Sequence, residues 1–455
     1  MTTAWQLSAT ELAAAFRSGT LTPSEALESI LARIAAVDPQ LNCFAVLDTA
    51  GARGAAADSD ARFAGGTPLG PFDGIPVSVK DNITVAGLPC AWGSKLYLDQ
   101  IPDKDELPVA RLRAQGAVIL GKTNVSEFTL GRGTVHTEAF GTTRNPWNPA
   151  LTTGASTGGG AAAVAAGFGP VTLGTDGGGS IRRPSGYQGL AGLKPSTGRV
   201  ARIDGLPVIL HDFEVIGPVA RTVDDLAMTL AAIEGPDPRD RLSHGFAPGR
   251  LEPIEGALKV LYVPKFGNWT VEDPIAASCA DAARRFAALG FSVEEGEAPF
   301  ELSLFEAHWP LVGGAGLAWL LRDSDWEGRI GEEYPPMIAQ GKAASAADYV
   351  AALDAARTIY RQLAEAFERY DLIMTPSAGA MPWKAEEPAP AYHRAFTGFV
   401  NAAGLPAICL PADPSPDGMP IGFQLVAPFG ADWRLLSVAR SFEAAHPWAD
   451  RRPPL

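Results

Sequence analysis

Apolar positions along the chain switch between two periods. Leu27, Ile30, Leu31 and Ile34 recur at helical spacing, whereas Ile75, Val77 and Val79 alternate as in a strand that ends at Lys80. Helix starts are marked just as locally. Ser8-Ala-Thr-Glu11 and Thr22-Pro-Ser-Glu25 both fit a capping box, the second with Pro23 where a missing N–H costs nothing. The helix after Thr22 is expected to stop near Asp38-Pro39, because proline removes a backbone donor. Ala50 to Ala64 reads as an alanine-rich helix closed by Gly65-Gly66, Val109 to Gln115 as a short helix, and Ala117 to Leu120 as a buried strand.

Further on, Ala161 to Gly167 predicts a tightly packed helix of small residues, and Pro218 to Ile233 a helix starting near Thr222. Gly235 to Gly256 is rich in proline, glycine and charge and predicts a surface loop. Leu258 to Tyr262, Pro274 to Leu289 and Phe291 to Glu295 form one strand–helix–strand unit, with Gly290 as the helix stop. Ala346 to Tyr370 predicts a long helix, Asp371 to Thr375 a strand, Pro376 to Tyr392 a proline-rich loop, and Ala407–Leu410 and Gly422–Val426 further strands. A last helix is expected over Trp433 to Ala445. Alternation of strand and helix predicts an α/β fold, a sheet covered by helices on both faces, with residues 1–455 as one domain. Residues 301–345 carry Phe305, His308, Trp309, Leu317, Trp319 and Trp326. Core packing is the commoner origin of such a stripe, and a pocket wall is the alternative.

Composition narrows the function classes. A net charge of −14 disfavours nucleic acid and anionic membranes as partners. The four cysteines, Cys43, Cys90, Cys279 and Cys409, form no CxxC pair, and the six histidines form no HxxxH or HxH pair, so no metal site is expected. Cysteine usage fits buried free thiols in a reducing compartment. No basic segment followed by an apolar one opens the chain, and no run of about 18 apolar residues occurs. A cytoplasmic location without membrane contact is the expectation.

The candidate chemistry sits in two glycine-rich turns. Ser156 lies in Gly154-Ala-Ser-Thr-Gly-Gly-Gly160, and Ser180 ends Gly174-Thr-Asp-Gly-Gly-Gly-Ser180. Gly177, Gly178 and Gly179 are free to take positive φ, which lets successive N–H groups converge into an anion nest usable as an oxyanion hole. A serine at the end of such a nest can attack a carbonyl, or the segment is a plain turn. A serine nucleophile needs a base. His136, His211 and His308 lie outside comparable motifs and read as surface or hydrogen-bonded residues. A lysine serves when burial keeps it neutral, and Lys80, at the end of an apolar strand, is the candidate; a strand-end lysine otherwise reaches for water.

Taken together these segments resemble the amidase signature family of serine hydrolases, over nearly the whole length. The matching pieces are Gly-Ile-Pro-Val-Ser-Val-Lys80-Asp, Gly-Lys-Thr-Asn124-Val-Ser-Glu-Phe, Asn145-Pro-Trp-Asn, Gly174-Thr-Asp-Gly-Gly-Gly-Ser180-Ile-Arg, Gly192-Leu-Lys-Pro, Gly217-Pro-Val-Ala-Arg-Thr and Gly418-Met-Pro-Ile-Gly-Phe-Gln-Leu. The two serines stand 24 residues apart, as the family has them. The resemblance implies a large mixed twisted β-sheet sandwiched between α-helices. It also implies a triad: Ser180 as nucleophile, Ser156 as the serine after a cis peptide bond, and Lys80 as base. The amides of Gly177, Gly178, Gly179 and Ser180 would hold the oxyanion, and Thr129 would line the pocket. The implied reaction is hydrolysis of a small-molecule amide through an acyl-enzyme, with no cofactor, metal or ATP; a homodimer is compatible with it.

Two rivals stand beside that reading: a glutaminase-type subunit of a tRNA-dependent amidotransferase, and a non-catalytic protein on the same fold. The first turn departs from the family's commoner Gly-Gly-Ser-Ser-Gly-Gly-Ser at Ala155, Thr157 and Gly160. Asp176 and Arg182 are expected to form an ion pair that braces the turn; Arg183 is a candidate for a substrate carboxylate.

Overall fold

The structure is a computed structural model describing residues 3–131, 133–207 and 209–455. Its centre is a mixed sheet of eleven strands. In chain order these are β1 (Phe44–Leu47), β2 (Pro76–Lys80), β3 (Val118–Thr123), β4 (Val171–Asp176), β5 (Ala191–Lys194), β6 (Val215–Ala220), β7 (Lys259–Tyr262), β8 (Ser292–Glu295), β9 (Leu372–Pro376), β10 (Ala407–Pro411) and β11 (Gly422–Val426). Across the sheet they run β1-β3-β2-β4-β6-β5-β10-β11-β9-β7-β8.

The helices are α1 (Ala9–Ser18), α2 (Pro23–Leu41), α3 (Thr49–Ala64), α4 (Leu107–Ala114), α5 (Gly158–Ala166), α6 (Arg182–Gln188), α7 (Val223–Ile233), α8 (Asp273–Ala288), α9 (Leu302–Leu320), α10 (Tyr334–Ala343), α11 (Ala346–Ala366), α12 (Gly398–Ala402) and α13 (Asp432–Ala445). They cover both faces of the sheet, as strand alternation shows. Ile119 of β3 joins a core with α1, α4, α7, α8 and α13. Its neighbours Val118 and Leu120 point the other way, into a core with α2, α3 and α5. Farther along, Ile373 and Ala407 pack with α11 and α12.

Both capping boxes form. Ser8 Oγ accepts from the Glu11 N–H at 3.2 Å while Glu11 accepts from the Ser8 N–H at 2.8 Å, and Thr22 and Glu25 repeat the arrangement. Asp225 of α7 then accepts from the N–H groups of Ala9 and Thr10 at 3.0 and 2.9 Å, tying the first helix of the chain to α7. Helix α2 runs past the predicted stop. Pro39 lies inside it, and the helix ends where Asn42 takes a left-handed conformation and donates to the Asp38 carbonyl at 2.7 Å. The pairing of β7 with β8 across α8 is parallel, as the strand–helix–strand pattern predicted.

Three central strands escape the sequence pattern. Strand β6 occupies the start of the segment read as helix, and its Pro218 sits opposite Leu173 in the middle of the sheet, a place where proline is rare. Strands β4 and β5 carry Gly174, Asp176 and Gly192, residue types depleted in strands. The strand order still sets up one consequence for chemistry. Strands β2 and β4 run parallel, with Val79 opposite Leu173. Their C-terminal ends therefore reach the same edge of the sheet, where open α/β sheets bind ligands.

Helix α5 approaches the sheet closely because its first turn is three glycines. A Cβ on Gly159 would stand 2.3 Å from the Asn124 carbonyl oxygen, and one on Gly160 would stand 2.6 Å from Thr172 Oγ1. Glycine at position 160 is what this close approach allows. Gly160→Ser is expected to lower stability by about 1–3 kcal/mol through overpacking. Urea unfolding should show the loss shrinking when Thr172→Ala is added; an undiminished loss in the double variant would place the clash elsewhere.

Candidate active site

The predicted site residues converge at the shared edge of β2 and β4. Lys80 closes β2 with no solvent exposure. Its Nζ donates to Ser156 Oγ at 2.8 Å, to Thr175 Oγ1 at 2.7 Å and to the Thr175 carbonyl at 3.0 Å. Burial pushes its pKa down to about 7, against the partial opposition of the Glu214 and Asp176 charges. The lysine does not reach for water: three acceptors hold it inside. Ser156 follows a cis Ala155–Ser156 peptide in the turn before α5.

Ser180 lies in the turn between β4 and α6, and its carbonyl accepts from the Thr157 N–H at 3.1 Å. Thr157 Oγ1 in turn donates to the Thr175 carbonyl at 3.2 Å. The two glycine-rich turns are thus bonded to each other and to the end of β4, and the Thr157 hydroxyl takes part.

The turn of Ser180 is wrapped around Asp176. Its carboxylate accepts from the Gly179 N–H at 2.7 Å, the Ile181 N–H at 3.1 Å, and Arg182 Nη2 and Nε at 2.8 and 3.0 Å. Arg182 also donates to Asn401 Oδ1, Gln424 Oε1 and the Thr397 carbonyl. Both members of the pair are fully buried. Burial alone would raise the Asp176 pKa, but the Arg182 charge and hydrogen bonds outweigh it and hold the carboxyl well below the usual range. The expected brace is therefore present.

One expectation is corrected. The Gly179 N–H is committed to Asp176 and Gly179 is not at the cavity surface, whereas Gly177, Gly178 and Ser180 are. Of the three glycines only Gly179 has positive φ, at 107°, and a Cβ there would lie 2.2 Å from Thr397 Oγ1. Its role is to close the turn.

The cavity in front of the two serines has a volume of about 420 Å³, ample for a small organic molecule. Thr129 lines it from a backbone in which both Phe128 and Thr129 have positive φ, 50° and 58°. Such conformations are rare for residues other than glycine and gather at functional sites. Helices α9 and α10 supply the outer wall through Phe305, Trp309 and Met337, while Val312 and Leu317 of the same segment are core. The aromatic stripe thus serves both purposes. Among the described residues lining the cavity there is no histidine: His136 and His211 are exposed, and His308 lies outside the lining.

Arg183 reaches the cavity, yet its guanidinium is occupied. It donates to the Gly178 carbonyl, to Thr397 Oγ1 at 2.8 Å and to the Ala155 carbonyl at 3.2 Å. It braces both turns instead of presenting a free fork. Sequence reasoning passes over Thr175, Glu214 and Thr397. Thr175 stands inside the quoted Gly-Thr-Asp motif; Glu214 and Thr397 carry no local signal.

The chain belongs to the amidase signature family. The Amidase family model matches residues 25–436. The chain is 35% identical to a glutamyl-tRNA(Gln) amidotransferase subunit of Symbiobacterium thermophilum, over 99% of each chain. It is 33% identical to an acylamidase of Rhodococcus erythropolis, over 98% of this chain and 97% of the relative. Among solved structures it is similar to a 6-aminohexanoate cyclic dimer hydrolase complexed with substrate, with a TM-score of 0.86 and 30% identity over 99% of each chain.

Because Asp176 and Arg182 are buried together, removing one strands the other. Arg182→Ala is expected to cost about 3–5 kcal/mol. Thermal or urea unfolding checks this, and a loss below about 1 kcal/mol would show that the pair does not hold the turn.

Proposed function

We propose that the protein hydrolyses a carboxylic acid amide of a small molecule through an acyl-enzyme on Ser180. The observation that carries the reading is the 2.8 Å contact from the fully buried Lys80 Nζ to Ser156 Oγ, beside a cavity that Ser156 and Ser180 both line. Neutral Lys80 takes a proton from Ser156, which takes one from Ser180 as Ser180 Oγ bonds to the amide carbon. The N–H groups of Gly177, Gly178 and Ser180 stabilise the oxyanion. The proton returns through Ser156 to the leaving amine, the C–N bond breaks, and water releases the acid by the same relay. The reaction proposed needs no cofactor, and the site residues supply every proton transfer.

A second reading, glutamine hydrolysis within an amidotransferase complex, is favoured by the Symbiobacterium relative. The apolar wall of Phe305, Trp309 and Met337 supports an apolar or aryl substrate portion over the compact polar side chain of glutamine. Assaying the purified chain with anilides and with glutamine separates the two. Anilide turnover without a partner supports the hydrolase; glutamine turnover that appears only with added partner subunits supports the complex.

Ser180→Ala should lower amide hydrolysis by about 10⁴-fold or more with an unchanged circular dichroism spectrum; turnover near wild type would refute the nucleophile. Lys80 acts as base in its neutral form, which prevails above its pKa. kcat/KM should therefore rise with pH through about 7 and level off above it. A profile flat across that interval would show that the base is another group.

A further inference from the structure

Among the described residues, one cation at the cavity has a hydrogen-bonding edge that is unspent. Arg394 lines the cavity together with Ser180, Gly178, Phe305 and Trp309. Its Nε donates to His393 Nε2 at 3.1 Å. His393 Nδ1 lies 2.7 Å from the Pro390 carbonyl, which can only accept, so Nδ1 carries the ring proton and Nε2 is left as acceptor. The imidazole stays neutral, because burial and then the neighbouring Arg394 charge push its pKa well down. It is fixed in place: Trp383 packs edge-on at 5.2 Å, and Gly133 leaves room that a Cβ would fill, 2.4 Å from His393 Nε2.

This support aims the guanidinium and occupies only its Nε. Among the described residues no carboxylate lies within 4.0 Å of Arg394, and its Nη1 and Nη2 have no partner. The contrast with Arg183 is direct, since that guanidinium is consumed by the turns. Arg394 is close enough for its charge to count among the influences that bring Arg183 down to about 9, after burial. It also lies three residues before Thr397, whose N–H meets the Arg394 carbonyl and whose hydroxyl donates to the Gly178 carbonyl at 2.8 Å. The free fork thus stands a short span from the nest in front of Ser180. Two acids line the cavity: Glu214 pairs with Arg202 at 2.8 Å, and Glu306 is exposed on α9.

We propose that Arg394, oriented by His393, binds a carboxylate of the substrate, so that the preferred amides carry an anionic group separated from the scissile carbonyl by a short apolar spacer. A planar guanidinium with two parallel N–H groups matches a carboxylate bidentately. Phe305, Trp309 and Met337 cover the spacer. The proposal rests on the amide-hydrolase reading for the identity of the cavity, and its test is a binding measurement that needs no turnover.

The Ser180→Ala protein is titrated calorimetrically with the monoanilides of succinic, glutaric and adipic acid, each beside its methyl ester, and with 4-acetamidobenzoate beside its methyl ester. At least one acid should bind about tenfold or more tighter than its ester, the worth of a charge-assisted pair. Arg394→Gln in the same background should erase that preference and Arg394→Lys should restore part of it. His393→Phe should weaken the acid and leave the ester unchanged, as a positioning residue would. Equal binding of acid and ester in all four pairs would overturn the proposal, and so would a preference that survives Arg394→Gln. Failure of the hydrolase reading is distinct: it appears as absent turnover of all these amides by the wild-type enzyme, whatever their binding.

Discussion

The structure of the site depends on one buried ion pair. Asp176 and Arg182 sit without solvent beneath the turn of Ser180, and neither charge is tolerable there unless every remaining donor and acceptor is met. The pair meets that condition by drawing on distant chain. Asp176 gathers the amides of Gly179 and Ile181, while Arg182 spends its other donors on Thr397, Asn401 and Gln424. The shape of the turn that carries Ser180 is thus a by-product of satisfying a charge. The same demand commits the Gly179 amide to Asp176.

Lys80 represents the opposite solution to burial. Among the described residues it has no carboxylate in contact, only a serine, a threonine and a carbonyl, so desolvation outweighs the more distant charges and brings its pKa down to about 7. Had Glu214 stood in direct contact, the lysine would be held as a cation. Instead Asn82 intervenes, donating to Thr175 Oγ1 and to Glu214 Oε1, and Glu214 pairs with Arg202, which also pairs with Glu106. One cluster of charges therefore braces the turn of Ser180, and the other is kept one residue away from Lys80.

Sequence reading recovers the parts whose physics is local. The capping boxes at Ser8 and Thr22, the strand ending in Lys80 and the unit from β7 to β8 are all legible. So is the pair of serine turns, because glycine runs and the motif around them lie within a few residues. What depends on tertiary competition is not. Pro218, Gly174 and Asp176 contradict strand propensity, and the sheet overrides it because both faces are buried. Asp176's choice of the Gly179 amide cannot be read from Gly-Gly-Gly. Nothing in the sequence separates Arg183 from Arg394; only the carbonyls of Gly178 and Ala155 make one of them a brace. The stripe at residues 301–345 splits between wall and core along the length of α9.

The reach of Arg182 also orders events during synthesis. Its partner Asn401 is 219 residues farther along the chain. At ribosomal rates of about 5–20 residues per second, roughly 10–45 seconds pass between the two residues' emergence. Through that interval the turn of Ser180 exists in sequence but lacks the groups that shape it. A nascent chain of this family therefore cannot complete the brace beneath the turn of Ser180 until its last sheet strands arrive.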